Sequence, residues 1–199
     1  MAVVAKERPK SPRARLFVAL DLPGELREGI AAWGREALAD PALRPVAPES
    51  LHVTLAFLGY RPEKEIEAIA AVVRERVGPA PWLELLDPEQ RPPRGRARLY
   101  ALPALSPGTE ALQAGVAQGL AEAGFYQPEK RPFWPHVTVA RVRPEGRGAR
   151  RPAAVSEVPG KLPAELSEAR ICRRMTLYRS ELQPSGARYA PLAQVQLPG

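Results

Sequence analysis

The sequence predicts an α+β domain built as two pseudo-equivalent lobes around one central cleft. His52-Val53-Thr54-Leu55 and His136-Val137-Thr138-Val139 repeat one pattern, using both histidines and two of the four threonines in 199 residues. With threonine so scarce, that repetition is a coincidence on the order of one in a few thousand. Each motif also closes a strand–helix–strand succession of near-equal length, 37 positions from Arg15 to His52 and 38 from Arg98 to His136. Two copies are too few to stack as a solenoid, so they suit one domain in which each lobe gives one histidine to a shared cleft.

Taken in order, residues 1–14 are basic and broken by proline, which reads as a mobile tail ahead of a single domain over 15–199. Leu16-Phe17-Val18-Ala19-Leu20 is a short apolar run suited to a buried strand. Pro23 stands where a first helical turn opens, and Leu26, Ile30, Trp33 and Leu38 follow at near-helical spacing. Leu51 to Leu58 reads as a strand ending at Gly59. Pro62 then opens a second helix with Ile66, Ile69, Val73 and Val77 on one face, closed by Gly78. Trp82 to Leu86 is a further strand. Arg98-Leu99-Tyr100-Ala101-Leu102 restarts the pattern, with a helix from about Thr109 to Ala123 stopped by Gly124. Residues 143–163, rich in Arg, Pro, Ala and Gly, read as a loop. Ile171 to Leu182 is strand-like, and Pro184-Ser185-Gly186 turns the chain into a last strand, roughly Arg188 to Leu197.

Composition narrows the function. No apolar run approaches the roughly 18 residues of a membrane span, and the apolar stretch at the start, cut off by Lys6, is too short for a secretory signal. The single Cys172 forbids an internal disulfide or a cysteine-based metal cluster. A cytoplasmic protein without membrane association is expected. The net charge of +7 attracts phosphate-bearing partners and suits, without establishing, a nucleic-acid partner.

In a strand, residues i and i+2 share a face, so His52 projects with Thr54 and His136 with Thr138. Two imidazoles beside two hydroxyls make a polar platform with two proton carriers. One neutral imidazole takes a proton from water while a charged one protonates a leaving oxygen, an arrangement that fits in-line attack at phosphorus. The hydroxyls and a nearby arginine can hold the non-bridging oxygens. No carboxylate stands near either motif at metal-ligand spacing, so neither metal nor cofactor is expected. Phe17 and Tyr100 occupy matching places in the two repeats, one position off the faces of their neighbours, and are candidates to stack on a base. Trp134 is a candidate for the mouth of the cleft.

These stretches resemble the two-histidine phosphoesterases, and within them the RNA 2',3'-cyclic phosphodiesterase group also called 2'-5' RNA ligase. The likeness runs from about Arg15 to Leu197. Beyond the two motifs it rests on Arg15 to Leu20, on Phe57-Leu58-Gly59 and Pro135-His136, and on Leu177 to Leu182 with Gly186 to Tyr189. The resemblance implies lobes of antiparallel sheet with helices outside. It implies metal-free opening of a terminal 2',3'-cyclic phosphate on RNA to a 2'-phosphate, with His52 as proton donor to the leaving 3' oxygen and His136 as proton acceptor from water. RNA ends carrying that cyclic phosphate are the implied partner, and no obligate protein partner is evident. Arg141 matches the family's arginine after the second motif, but its parity in an unbroken strand is opposite to that of His136, so the strand must bend for it to join the site. A 2'-5' RNA ligase, a small-nucleotide cyclic phosphodiesterase and a non-catalytic RNA-end binder are the rival readings. Keeping both histidines and both threonines argues against the last.

Overall fold

The chain order in the computed structural model, which describes residues 12–183 and 186–199, is β1 (Arg13–Asp21), α1 (Gly24–Ala37), β2 (Leu43–Pro45), β3 (His52–Pro62), α2 (Ile66–Glu75), β4 (Trp82–Leu85), β5 (Glu89–Arg91), β6 (Leu99–Leu105), α3 (Pro107–Glu122), β7 (His136–Val142), α4 (Ala164–Ser167), β8 (Arg170–Ile171), β9 (Arg174–Gln183) and β10 (Gly186–Gln196). The strands form one sheet in the order β10-β9-β1-β3-β7-β6-β4-β8, with β2 added against β7 and β5 against β6. The pairings are antiparallel throughout. The two halves, β10-β9-β1-β3 and β7-β6-β4-β8, meet where Val53 pairs with Val137. Each half contains one strand–helix–strand unit, β1-α1-β3 and β6-α3-β7, so the α+β class and the duplicated succession both stand.

Apolar periodicity explains the layers. Leu26 and Ile30 of α1, Ile69 and Val73 of α2, and Leu112, Val116 and Leu120 of α3 share one core with Leu16, Val18 and Leu20 of β1. Helix α3 is the best delimited. Ser106 caps it by accepting from the Thr109 N–H at 3.2 Å, Pro107 opens it, and Gly124, at φ +76°, lets Phe125 N–H bond back to Leu120.

Several boundaries differ from expectation. β1 starts at Arg13, inside the expected tail; residues 1–11 of that tail lie outside the described residues. β3 does not stop at Gly59, because that glycine takes φ +67° in a bulge and the strand runs on to Pro62. Pro62 therefore ends a strand instead of opening a helix. Residues Glu63–Glu65 form a 3₁₀ turn, and Val77 lies beyond α2 with 43% exposure. The expected strand from Ile171 breaks at Cys172, whose N–H bonds to Pro81 O. The last strand begins at Gly186, two residues early, while the turn at Pro184 and Ser185 lies outside the described residues.

Residues 143–163 carry no helix or strand, as expected of a loop, but they are tied down. Both oxygens of the buried Asp40 carboxylate are used, Oδ1 by Ala42 N–H and Oδ2 by Ser156 N–H, Ser156 Oγ–H and Glu157 N–H at 2.7–2.9 Å. Those hydrogen bonds, led by the one from Glu157, hold Asp40 down to a pKa of about 2.

Candidate active site

Both histidines are the first residues of their strands, and both are fixed in the same way. His52 Nδ1–H donates to the carbonyl of Ser50 at 2.7 Å, and His136 Nδ1–H donates to the carbonyl of Trp134 at 2.8 Å. A carbonyl can only accept, so each neutral ring carries its proton on Nδ1 and leaves Nε2 basic. Thr54 Oγ lies 3.1 Å from His52 Nε2. Val53 and Val137 are fully buried while His52, Thr54, His136 and Thr138 line a cavity of about 360 Å³ on the opposite side of the sheet. The antiparallel pairing of Val53 with Val137 makes the register place His52 beside Thr138 and Thr54 beside His136. Both motifs thus face one cavity across a pseudo-twofold axis.

The strands obey the same axis beyond the two motifs. On β1–β3, Val18 pairs with Ala56 and Ala19 with Thr54, leaving Leu55 as an extra residue; on β6–β7, Tyr100 pairs with Ala140 and Ala101 with Thr138, leaving Val139 extra. Each bulge puts two consecutive residues on the buried side and reverses the alternation. The residue five positions after each histidine, Phe57 or Arg141, therefore returns to the cavity. This is the bend that Arg141 needed, and it brings a guanidinium to the site.

The register also corrects the match between the repeats. Phe17 pairs with Phe57 and Leu99 with Arg141, so the structural counterpart of Phe17 is Leu99, and Tyr100 corresponds to Val18. Tyr100 is accordingly in the core at 2% exposure and does not line the cavity. Phe17 does line it, but at 4% exposure its ring packs among His52, Tyr178 and Tyr189 at centroid distances of 4.9, 5.3 and 4.9 Å. It backs the imidazole and offers little open face to a base. Trp134 stacks on His136 at 4.0 Å and 16° and is absent from the cavity lining.

Sequence reasoning missed Arg15, Ser180, Arg44 and Tyr189, all of which line the cavity. Arg15 shares the face of Phe17 by parity, which was a usable signal. Its guanidinium sits 4.6 Å over the Phe57 ring and donates to Ser180 Oγ at 2.8 Å. Also missed was Asp21, which is buried at the end of β1 and accepts from Arg174 Nε, Thr176 Oγ and Tyr178 OH at 2.6–2.9 Å. Burial, with the Asp21 carboxylate adding to it, pushes the Tyr178 phenol up to about 12, so it donates.

Burial pulls the His52 pKa down to about 4, against the opposing pull of the Ser50 carbonyl and the Asp21 charge. His136 is also lowered, first by burial and then by the cations Arg91 and Arg141, with the Trp134 carbonyl opposing. At neutral pH the free protein therefore presents two neutral imidazoles with both Nε2 atoms basic. Among the described residues, no three His, Cys, Asp or Glu side chains gather where they could hold a metal ion.

The family model of the 2'-5' RNA ligase superfamily matches residues 22–181, which include both motifs and Arg141. The chain belongs to that superfamily. It is 33% identical to the RNA 2',3'-cyclic phosphodiesterase of Escherichia coli K12 over 89% of this chain and 93% of that one. It is 32% identical to the enzyme of the same name from Thermus thermophilus, over 93% and 91%. Among solved structures, TT0787 of Thermus thermophilus superposes with a TM-score of 0.75 at 30% identity, covering 93% of this chain and 98% of that one. E. coli LigT complexed with 3'-AMP gives 0.73 at 30% identity, covering 94% and 99%.

Proposed function

We propose that this superfamily member hydrolyses the terminal 2',3'-cyclic phosphate of RNA to a 2'-phosphate by two-histidine general acid–base catalysis. The observation that carries this reading is the pair of symmetry-related imidazoles, each pinned through Nδ1 and each turning Nε2 to one cavity with a threonine beside it. Relatives that align along nearly the whole chain bear the name RNA 2',3'-cyclic phosphodiesterase.

His136 Nε2 takes a proton from water as the water oxygen bonds to phosphorus. The bond from phosphorus to the 3' oxygen breaks on the opposite side, and His52 Nε2–H gives that oxygen its proton. The products are a 2'-phosphate and a 3'-hydroxyl, and the two imidazoles exchange protons with solvent to reset. Thr54, Thr138 and Arg141 hold the non-bridging oxygens, whose charge grows during attack. His52 is neutral in the empty cleft, so the anionic phosphodiester itself must supply the field that charges it. The protein then acts on RNA ends in the cytoplasm, with its net charge of +7 favouring a polyanionic substrate.

The test is to incubate the protein with an RNA ending in a 2',3'-cyclic phosphate, in EDTA, and to probe the product with a phosphatase specific for 3'-phosphates. Resistance of the new end is expected. A 3'-phosphate product would overturn the assigned direction of opening, and loss of activity in EDTA restored by a divalent metal would overturn the two-histidine scheme.

A further inference from the structure

The pseudo-twofold axis makes each half of the site a control for the other. Asp21 pairs with His52 across β1–β3, and at the equivalent place across β6–β7 Pro103 pairs with His136. A buried carboxylate on one side thus has an uncharged, donor-less residue as its counterpart. Ser50, whose carbonyl holds His52, has Trp134 as its counterpart, and the Arg91 guanidinium lies 3.7 Å over the Trp134 ring on the end strand β5. Arg91, Trp134 and His136 form a continuous stack, and Arg91 Nε is buried without a hydrogen-bond partner. Phe57 and Arg141 are the third unequal pair.

The first two differences have one sense, negative charge beside His52 and positive charge beside His136, whereas Arg141 disfavours the charged form of both imidazoles. We propose that Asp21 and, through Trp134, Arg91 are positioning residues that bias two symmetry-related imidazoles toward opposite roles, His52 toward donor and His136 toward acceptor. This rests on the acid–base reading above. The charged and titratable groups facing His52 are Asp21 of β1, Tyr178 of β9, Tyr189 of β10, and His136 and Arg141 of β7; those facing His136 are Arg91 of β5, Arg141 and His52; Arg15 of β1 and Arg44 of β2 line the cavity that both share. Arg174 and Glu89 partly offset Asp21 and Arg91, through contacts of 2.6 and 3.1 Å. The directions nonetheless follow from the sign of each charge: an anion favours the imidazolium and a cation disfavours it.

Because the chain holds only two histidines, an NMR titration of histidine-labelled protein resolves both imidazoles without any need for activity. Arg91→Gln should raise the His136 midpoint by about half a unit or more and leave His52 unmoved. Arg91→Lys, which keeps the cation, should return it toward the parent value. Asp21→Asn should lower the His52 midpoint and leave His136 unmoved. The Arg91 pair decides the matter even where Asp21→Asn does not fold. Unmoved midpoints, or an Arg91→Lys midpoint that follows Arg91→Gln, would overturn the proposal. Such a result would leave the hydrolysis itself untouched, since the RNA assay reads that separately.

Discussion

An imidazole serves as a directed proton carrier when one ring nitrogen is fixed and the other faces the substrate, and His52 and His136 both meet that condition. We predict that His52→Ala and His136→Ala each lower kcat/KM for a cyclic-phosphate RNA by about 10²-fold or more, the usual worth of a positioned acid or base. Arg141→Ala should cost about as much as removing one charge-stabilising donor, on the order of 10²-fold in kcat. Parent-like rates in either histidine variant would exclude it from proton transfer. The pH dependence has a defined sign. Burial lowers both imidazoles in the free protein, so the limbs of kcat/KM should fall below neutrality. Bound anionic phosphate favours the charged imidazole, so the limbs of kcat should lie at higher pH than those of kcat/KM. Steady-state rates from about pH 4 to 9 check this, and coincident limbs would contradict it.

At the scale of elements, the lining of the cavity depends on two bulges and stability on caps. The extra residues Leu55 and Val139 return Phe57 and Arg141 to the cavity, so the strands deliver three site positions each where straight strands would deliver two of those three. Ser106 does not line that cavity. Its hydroxyl caps α3 and also bonds Thr109 Oγ and the Trp82 carbonyl. Ser106→Ala should lower stability by about 1–2 kcal/mol, a lost cap with a buried partner left open, while kcat stays at the parent value. Urea unfolding beside the RNA assay measures both. A fall in kcat at full folding would mean that α3 communicates with the site.

For the whole molecule, the two histidines and Asp40 tie stability to acid. His52 has a folded pKa of about 4 against an unfolded 6.5, so the unfolded chain binds the proton more tightly between those values. Its contribution is complete above pH 6.5 and is lost as pH falls toward 4. Asp40 has a folded pKa of about 2 against 3.8, and the stability that it contributes is lost as pH falls through that lower window. Thermal unfolding midpoints should therefore drop in two stages on acidification, and His52→Gln should reduce the upper one, to which the lowered His136 also contributes. An upper stage unchanged in size by His52→Gln would assign it to other groups.

The sequence by itself determined the candidate site: the scarcity of histidine and threonine singled out His52, Thr54, His136 and Thr138, and the two-residue period of a strand placed each pair on one face. It also determined the duplicated strand–helix–strand order, because apolar periods of two and of 3.6 are local properties. Tertiary structure decided what depends on register. Nothing in Leu55 or Val139 marks a bulge, since neither is glycine or proline and the bulge arises from which partner carbonyl each strand meets. For the same reason the repeats aligned on their residue types alone were one position out of step, which put Tyr100 at the cleft, whereas the structure places it in the core. Asp21 and Arg91 were silent in the sequence because their meaning comes from pairing across the sheet, Asp21 opposite His52 and Arg91 behind Trp134. A charge acts on an imidazole through distance in space, and distance along the chain carries no record of it.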